Sequence, residues 1–233
     1  MYEEKIIPPK KAMPQAQDGT LRKFALRVPE VIYQCSGIIV FGKRIKSLVF
    51  STDLSIIKNV NADAIIAVYP FTPQPIITQA LLLAADIPVF AGVGGGLTKG
   101  QRVVNLAMFA EMQGATGVVL NAPTANAVVQ HVAETIDIPV VVTVARADTD
   151  FEARLQAGAN IFNVSAAAET PAIVRSIRER YPDVPIIATG GPTDESILET
   201  IRAGANAITW TPPSNGEIFR DIMAAYRDNK PHP

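Results

Sequence analysis

The residues able to do chemistry fall into a few short phrases. Asp53 ends Phe50-Ser51-Thr52-Asp53, and Asp148 and Asp150 lie in Arg146-Ala147-Asp148-Thr149-Asp150. An aspartate just behind an apolar run can act as a general base. It can equally cap the next helix, because its oxygens accept the unpaired N–H groups of a first turn. Asp150, directly before residues 151–157, reads as a cap. Asp53 and Asp148 are the catalytic candidates, and Asp53 is also readable as a cap for a helix starting near Ser55. Arg146 has the planar donor fork that clamps a carboxylate or phosphate. Thr189-Gly190-Gly191-Pro192 and Thr211-Pro212-Pro213-Ser214-Asn215-Gly216 suit an anion. Glycines let backbone N–H groups approach it, and Ser214 can cap a helix and bond a phosphate oxygen. Gly190-Gly191 is also compatible with a plain tight turn. Ala91-Gly92-Val93-Gly94-Gly95-Gly96 lacks the G-x-G-x-x-G spacing of a dinucleotide loop, so no cofactor is assigned. It reads as a loop that brings Lys99 to an anion or leaves it solvated. The spacing of Asp53 and Asp148 carries no metal signature. His131 and His232 read as solvated, and Cys35 precedes the main strands.

These phrases need a scaffold, and an internal repeat supplies one. Asp86-Ile87-Pro88-Val89-Phe90 returns as Asp137-Ile138-Pro139-Val140-Val141 and as Asp183-Val184-Pro185-Ile186-Ile187. Between these copies run Gly114-Ala115-Thr116-Gly117, Gly158-Ala159-Asn160-Ile161 and Gly204-Ala205-Asn206-Ala207, with Asn61-Ala62-Asp63-Ala64 a weaker copy. Each phrase returns after about 45–50 residues, the length of two strand-plus-helix units. The glycine suits the left-handed position that ends a helix, and proline is tolerated at a strand's first residue. The apolar runs are short and do not alternate, as in parallel strands buried on both faces. Eight strands are predicted, near residues 47–51, 64–68, 89–92, 117–120, 140–144, 161–164, 186–189 and 207–210. Helical periodicity lies between them, as in Val103/Leu106/Ala107/Phe109/Ala110. Strict alternation with a quarter repeat predicts an α/β fold closed as a (β/α)8 TIM barrel. Before it, residues 1–36 read as an N-terminal arm, with residues 21–33 a helix or extended segment under the barrel floor. Residues 37–233 read as one barrel domain. It opens with a hairpin, Ile38-Ile39-Val40-Phe41 against a run from Ile45, turning at Gly42-Lys43-Arg44.

In such a barrel the site is built from the C-terminal ends of the strands, with phosphate near strands seven and eight. That places Gly190, Gly191, Thr211 and Ser214 as phosphate ligands. Asn121, at strand four, and Asn163, on strand six, join Lys99 and Arg146 as substrate contacts. Gln156-Ala157-Gly158-Ala159-Asn160, Ile187-Ala188-Thr189-Gly190-Gly191 and Arg202-Ala203-Gly204-Ala205-Asn206-Ala207 make the last hundred or so residues resemble the phosphate-binding aldolase-type barrels. That group includes indole-glycerol phosphate synthase, thiamine phosphate synthase, N-acetylmannosamine-6-phosphate epimerase and the ketodeoxyphosphogluconate aldolases. The resemblance is at superfamily level and implies the fold and the phosphate loop. The chain departs from the pattern at Pro212-Pro213, where proline has no N–H to give. It also departs in having no lysine at a strand end for a Schiff base.

Composition bounds the rest. At 233 residues the chain suits one barrel, and its 48% apolar content supports a large core. A net charge of -1 gives no footing for nucleic acid or an anionic membrane. A single cysteine and the lack of an apolar segment near the N-terminus fit a cytoplasmic protein. The reading is a cytoplasmic enzyme on a small phosphorylated metabolite, a lyase or isomerase of carbohydrate metabolism. Two alternatives stay open: a non-catalytic phosphometabolite sensor or regulator, and a hydrolase. Nothing in the sequence decides between a monomer and a homo-oligomer.

Overall fold

The computed structural model describes Gln15, Gly19 and residues 25–232. The polar stretch 1–14 and residues 21–24 of the arm lie outside these. The described part of the arm pairs Leu26 with Val60 and then forms a 3-10 turn, Glu30–Gln34, that buries Ile32.

A hairpin opens the barrel, with β1 (Ile38–Val40) antiparallel to β2 (Lys43–Ile45). Strands and helices then alternate. They are β3 (Ser47–Phe50), α1 (Leu54–Lys58), β4 (Ala64–Ala67), α2 (Pro75–Ala84), β5 (Val89–Gly94), α3 (Gln101–Met112), β6 (Gly117–Leu120) and α4 (Asn126–Thr135). The second half is β7 (Val140–Val144), α5 (Phe151–Gln156), β8 (Ile161–Val164), α6 (Thr170–Arg180), β9 (Ile186–Thr189), α7 (Asp194–Arg202), β10 (Ala207–Trp210) and α8 (Asn215–Arg227). Strands β3 to β10 are parallel, pair in sequence order and close where β10 meets β3. This is the (β/α)8 barrel that the repeat predicts, with β1 and β2 outside it.

Two details differ from the sequence reading. The hairpin turns at Phe41-Gly42, both with positive φ (47° and 77°), and its second arm stops at Ile45. A two-residue turn of that twist matches the twist of the flanking strands, so Lys43 and Arg44 become strand residues. Strand β5 runs on to Gly94, with a register shift against β6 between Gly92 and Gly94. Such an irregularity re-aims the backbone at a barrel rim.

The barrel has two apolar layers. Val49, Ile65, Val118, Val142 and Phe162 face outward onto the helices. Leu48, Ile66, Phe90, Val119, Val141, Ile161, Ile187 and Ala207 fill the interior, and Ile38, Val40 and Ile45 of the hairpin close it from below. Helices α1, α5, α7 and α8 start where side chains satisfy their first N–H groups. Asp53 caps α1 and Asp150 caps α5, while Thr193 and Ser214 form capping boxes on α7 and α8.

The two repeated phrases interlock. Asn206 N–H donates to the Ile186 carbonyl, and Ile186 N–H donates back to Asn206 Oδ1 at 2.9 Å. Asn160 and Val140 repeat this exchange, at 2.8 Å for Val140 N–H to Asn160 Oδ1. Asp63 does the same for the start of β3, accepting from Lys46 and Ser47 N–H at 2.8 and 3.0 Å. Val140 and Ile186 each follow a proline, which gives no donor, and the polar residue of the following phrase takes the first N–H that is present; β3 is held in the same way without a proline. Asn206 also accepts from Arg178 Nη2 at 2.7 Å. Replacing it by alanine strands the Ile186 N–H and removes one acceptor of the Arg178 guanidinium, which keeps the carbonyls of Gly204, Pro182 and Val184. Asn206→Ala is expected to lower the unfolding free energy by about 1–3 kcal/mol, read by urea denaturation. An unchanged midpoint and slope would show the exchange to be replaceable by water.

Candidate functional site

The C-terminal ends of the strands open onto a cleft of about 590 Å3. Phe50, Val68, Tyr69 and Asn121 form its wall, Asp53 its edge, and Thr211, Ser214 and Asn215 its far rim. A second hollow of about 220 Å3 shares Val68, Tyr69 and Asn121, and lies between the loops that follow β4 and β5. Thr98 Oγ1 donates to Thr72 Oγ1 at 3.1 Å and ties these two loops together. Gly95, at φ +99°, packs so closely that a Cβ would lie 2.3 Å from Thr124 Oγ1 and 2.9 Å from the Asn121 nitrogen.

Asp53 both caps and faces the cleft. Its Oδ1 accepts from the N–H and hydroxyl of Ser55, at 2.8 and 2.7 Å, and from Ile56 N–H at 3.3 Å. Its Oδ2 accepts from Asn215 Nδ2 at 2.5 Å, a contact across 162 positions of sequence. The Ser55 hydroxyl bond, with the backbone donors, holds the carboxyl below its ordinary range against the opposing effect of partial burial. Asp53 is therefore ionised at neutral pH. Asn215 was absent from the sequence candidates. The signal for it was its place one residue after the Ser214 cap, which puts it at the mouth.

The remaining candidates are spread out. Asp148 takes Arg146 Nε and Nη2 at 2.9 and 2.6 Å, and both side chains are exposed. Each guanidinium and carboxylate thus meets its partner on the loop after β7. Lys99 is exposed behind the glycine loop. Asn121 lines both hollows of the mouth. Asn163 lies inside the barrel on β8, only 8% exposed.

At the phosphate loops, Gly190 N–H is engaged by the Thr209 carbonyl at 3.4 Å. A Cβ on Gly190 would collide with Ile197 and Ile208, so close packing of α7 onto the sheet also requires this glycine. Ser214 Oγ donates to Glu217 Oε2 at 2.7 Å within its capping box. Gly191 and Thr211 border a third hollow, of about 380 Å3, with Thr189, Thr209 and Asp194. The first turns of α7 and α8 carry Asp194, Glu195 and Glu217, so both helix N-termini already have local negative charge.

Among the described residues no three His, Cys, Asp or Glu side chains come together as metal ligands. Nor is any helix among them long and apolar enough to cross a membrane. Cys35 is buried and unpaired, and burial pushes its thiol up to about 12, so it is inert as a nucleophile. Among the described residues, three buried polar atoms lack a hydrogen-bond partner: Gln113 Oε1, Asn163 Oδ1 and Thr209 Oγ1. The last two belong to the barrel interior, where leaving such an atom unsatisfied costs about 1–3 kcal/mol.

Closed parallel topology, with a hairpin plug below and a cleft above, defines a TIM barrel. Solved structures of enzymes superimpose on it. A 2,3-dimethylmalate lyase, a member of the PEP mutase/isocitrate lyase superfamily, aligns at TM-score 0.62 and 13% identity over 91% of this chain and 88% of its own. A phosphoenolpyruvate phosphomutase from Streptomyces platensis subsp. rosaceus gives 0.60 and 14% over 85% and 86%. A phosphonopyruvate hydrolase complexed with oxalate and Mg++ gives 0.58 and 13% over 80% and 84%. No family model matches the sequence, and no curated protein matches it. At these identities the likeness establishes the fold, in agreement with the superfamily-level resemblance carried by the repeated phrases.

Proposed function

We propose that this barrel is a cytoplasmic enzyme of the lyase or isomerase type, acting on a small phosphorylated metabolite. In this reading residues 37–233 are the catalytic domain and residues 1–36 an N-terminal arm. The observation that carries it is Asp53, an ionised carboxylate fixed from two sides at the edge of the main cleft. A carboxylate so placed can take a proton from a carbon next to a carbonyl. A substrate covering the cleft would remove water from Asp53 and raise its basicity. The phosphate would lie against Gly191 and Thr211, with the engaged Gly190 and Ser214 shaping the loop. Asn121 and Asn163 would contact the body of the substrate, and Lys99 and Arg146 its charged parts, with Asp148 as a second acid–base group. The lyases and phosphomutases with this fold support the reaction class.

A second reading, a phosphometabolite sensor, is favoured by one observation. Both oxygens of Asp53 accept hydrogen bonds, and Asp148 is neutralised by Arg146. The two readings share the anion site and differ in turnover. Thermal denaturation in inorganic phosphate tests the site. A rise in midpoint for the wild type and none for Gly191→Asp, whose carboxylate occupies the anion's place, is expected. An equal rise in both places the anion elsewhere. Carbon–hydrogen exchange of phosphorylated ketones and 2-oxo acids in D2O, followed by NMR, separates enzyme from sensor.

A further inference from the structure

The inward positions of β7 to β10 change character along the barrel axis. Val141, Ile161, Ile187 and Ala207 belong to the interior core. Two residues further along each strand, on the same inward parity, stand Thr143, Asn163, Thr189 and Thr209. Thr143 pairs with Asn163 in register, and Thr189 with Thr209. Asn163 Nδ2 donates to Thr143 Oγ1 at 3.4 Å. Asn163 Oδ1 and Thr209 Oγ1 have no partner, although the residues are 8% and 6% exposed.

This band is polar, but it carries no charge. The charged groups near the mouth, Asp53, Lys99 and the Arg146–Asp148 pair, stand at the rim or in exposed loops, and the one that shares a hollow with Thr189 and Thr209 is Asp194, an anion in the first turn of α7. A carboxylate or phosphate at the band would lose its water without gaining a cation, which is unfavourable in a buried place. A hydroxyl fits better. It donates to the amide oxygen of Asn163 and exchanges hydrogen bonds with threonine hydroxyls, which both donate and accept.

We propose that Asn163 and Thr209 form a subsite for the uncharged, hydroxyl-bearing part of the ligand, with its anionic group left at the rim. The inference deepens the proposed function and rests on it for the phosphate end; the band itself stands on its own geometry. The substrate class is then a polyol or sugar phosphate, rather than a phosphorylated acid whose carboxylate would enter the barrel.

Calorimetric titration with inorganic phosphate, glycerol 3-phosphate and 3-phosphoglycerate tests this. Glycerol 3-phosphate is expected to bind about tenfold more tightly than inorganic phosphate, and 3-phosphoglycerate no more tightly than inorganic phosphate. Thr209→Val and Asn163→Leu should remove the glycerol 3-phosphate advantage, while Thr209→Ser should retain it. Tighter binding of 3-phosphoglycerate, or an undiminished advantage in Thr209→Val, overturns the subsite. If no phosphorylated probe binds, the phosphate reading fails, and free erythritol then tests the band alone. An erythritol-dependent rise in melting temperature that Thr209→Val abolishes supports the subsite, and an equal or absent rise in both proteins overturns it.

Discussion

Asp53→Asn is expected to cut turnover by about 10²–10⁴-fold, the usual effect of losing a general base. The change is conservative for the fold. Asparagine is as good an N-cap as aspartate, so the bonds from Ser55 and Ile56 N–H can persist. What disappears is the negative charge at the cleft edge and its charge-assisted bond from Asn215. Anion affinity should change little and the melting temperature at neutral pH should fall only by the share that the ionised carboxylate contributes, so steady-state rates compared with phosphate-induced stabilisation separate the two effects. Full activity in the variant would exclude Asp53 as the base and favour the sensor reading. The pH dependence has a definite sign. The folded protein holds the Asp53 carboxyl below its unfolded value. Its stabilising effect is therefore complete above the ordinary carboxylate range and is lost as pH falls through the lowered value. The wild type should lose stability relative to Asp53→Asn only in that acidic window.

Gly95→Val is expected to be the most damaging single change at the mouth. The position combines φ +99° with a Cβ site 2.3 Å from Thr124 Oγ1 and 2.9 Å from the Asn121 backbone nitrogen. A β-branched residue must pay the left-handed backbone strain and also displace the loop after β6. The expected cost is about 3 kcal/mol or more, a fall in melting temperature of about 6–12 °C for a chain of this size. Gly42→Ala is the matching control. It has φ +77° but nothing within 4 Å of its Cβ site, so only the backbone strain applies. Similar small shifts in both variants would show that the loop after β5 gives way freely.

The scaffold was legible because its information is local and repeated. Three copies of a proline-led strand and three of a glycine-led strand mark alternate units, and the strand limits from β6 to β10 follow the apolar runs closely. Ser214 was legible as a helix cap, and the structure completes it as a capping box with Glu217 three residues on. The Phe41-Gly42 turn was less legible, because Phe41 takes a positive φ that its side chain does not favour. The site was legible only as a list of strand ends. Which members meet depends on contacts between distant units, such as Asn215 with Asp53. The pairing of Arg146 with Asp148 shows the converse: two residues suited to a substrate can satisfy each other first. The polar phrase residues Asp63, Asn160 and Asn206 were legible only as members of the repeat, because the N–H groups they accept lie 16 to 20 residues earlier.

Helix α8 is amphipathic, yet none of its residues is buried, and Phe219, Met223 and Tyr226 are exposed. Its first turn is nonetheless fastened to the mouth through Asn215. Unfolding this helix locally would expose little apolar surface that is not exposed already, so the opening free energy should be low. Backbone amides of α8 should therefore exchange with deuterated solvent well before those of β3 to β10. Each such opening also frees Asn215 from the Asp53 carboxylate, so the hydrogen bonding of Asp53 Oδ2 fluctuates with the fraying of a helix that the barrel core does not hold.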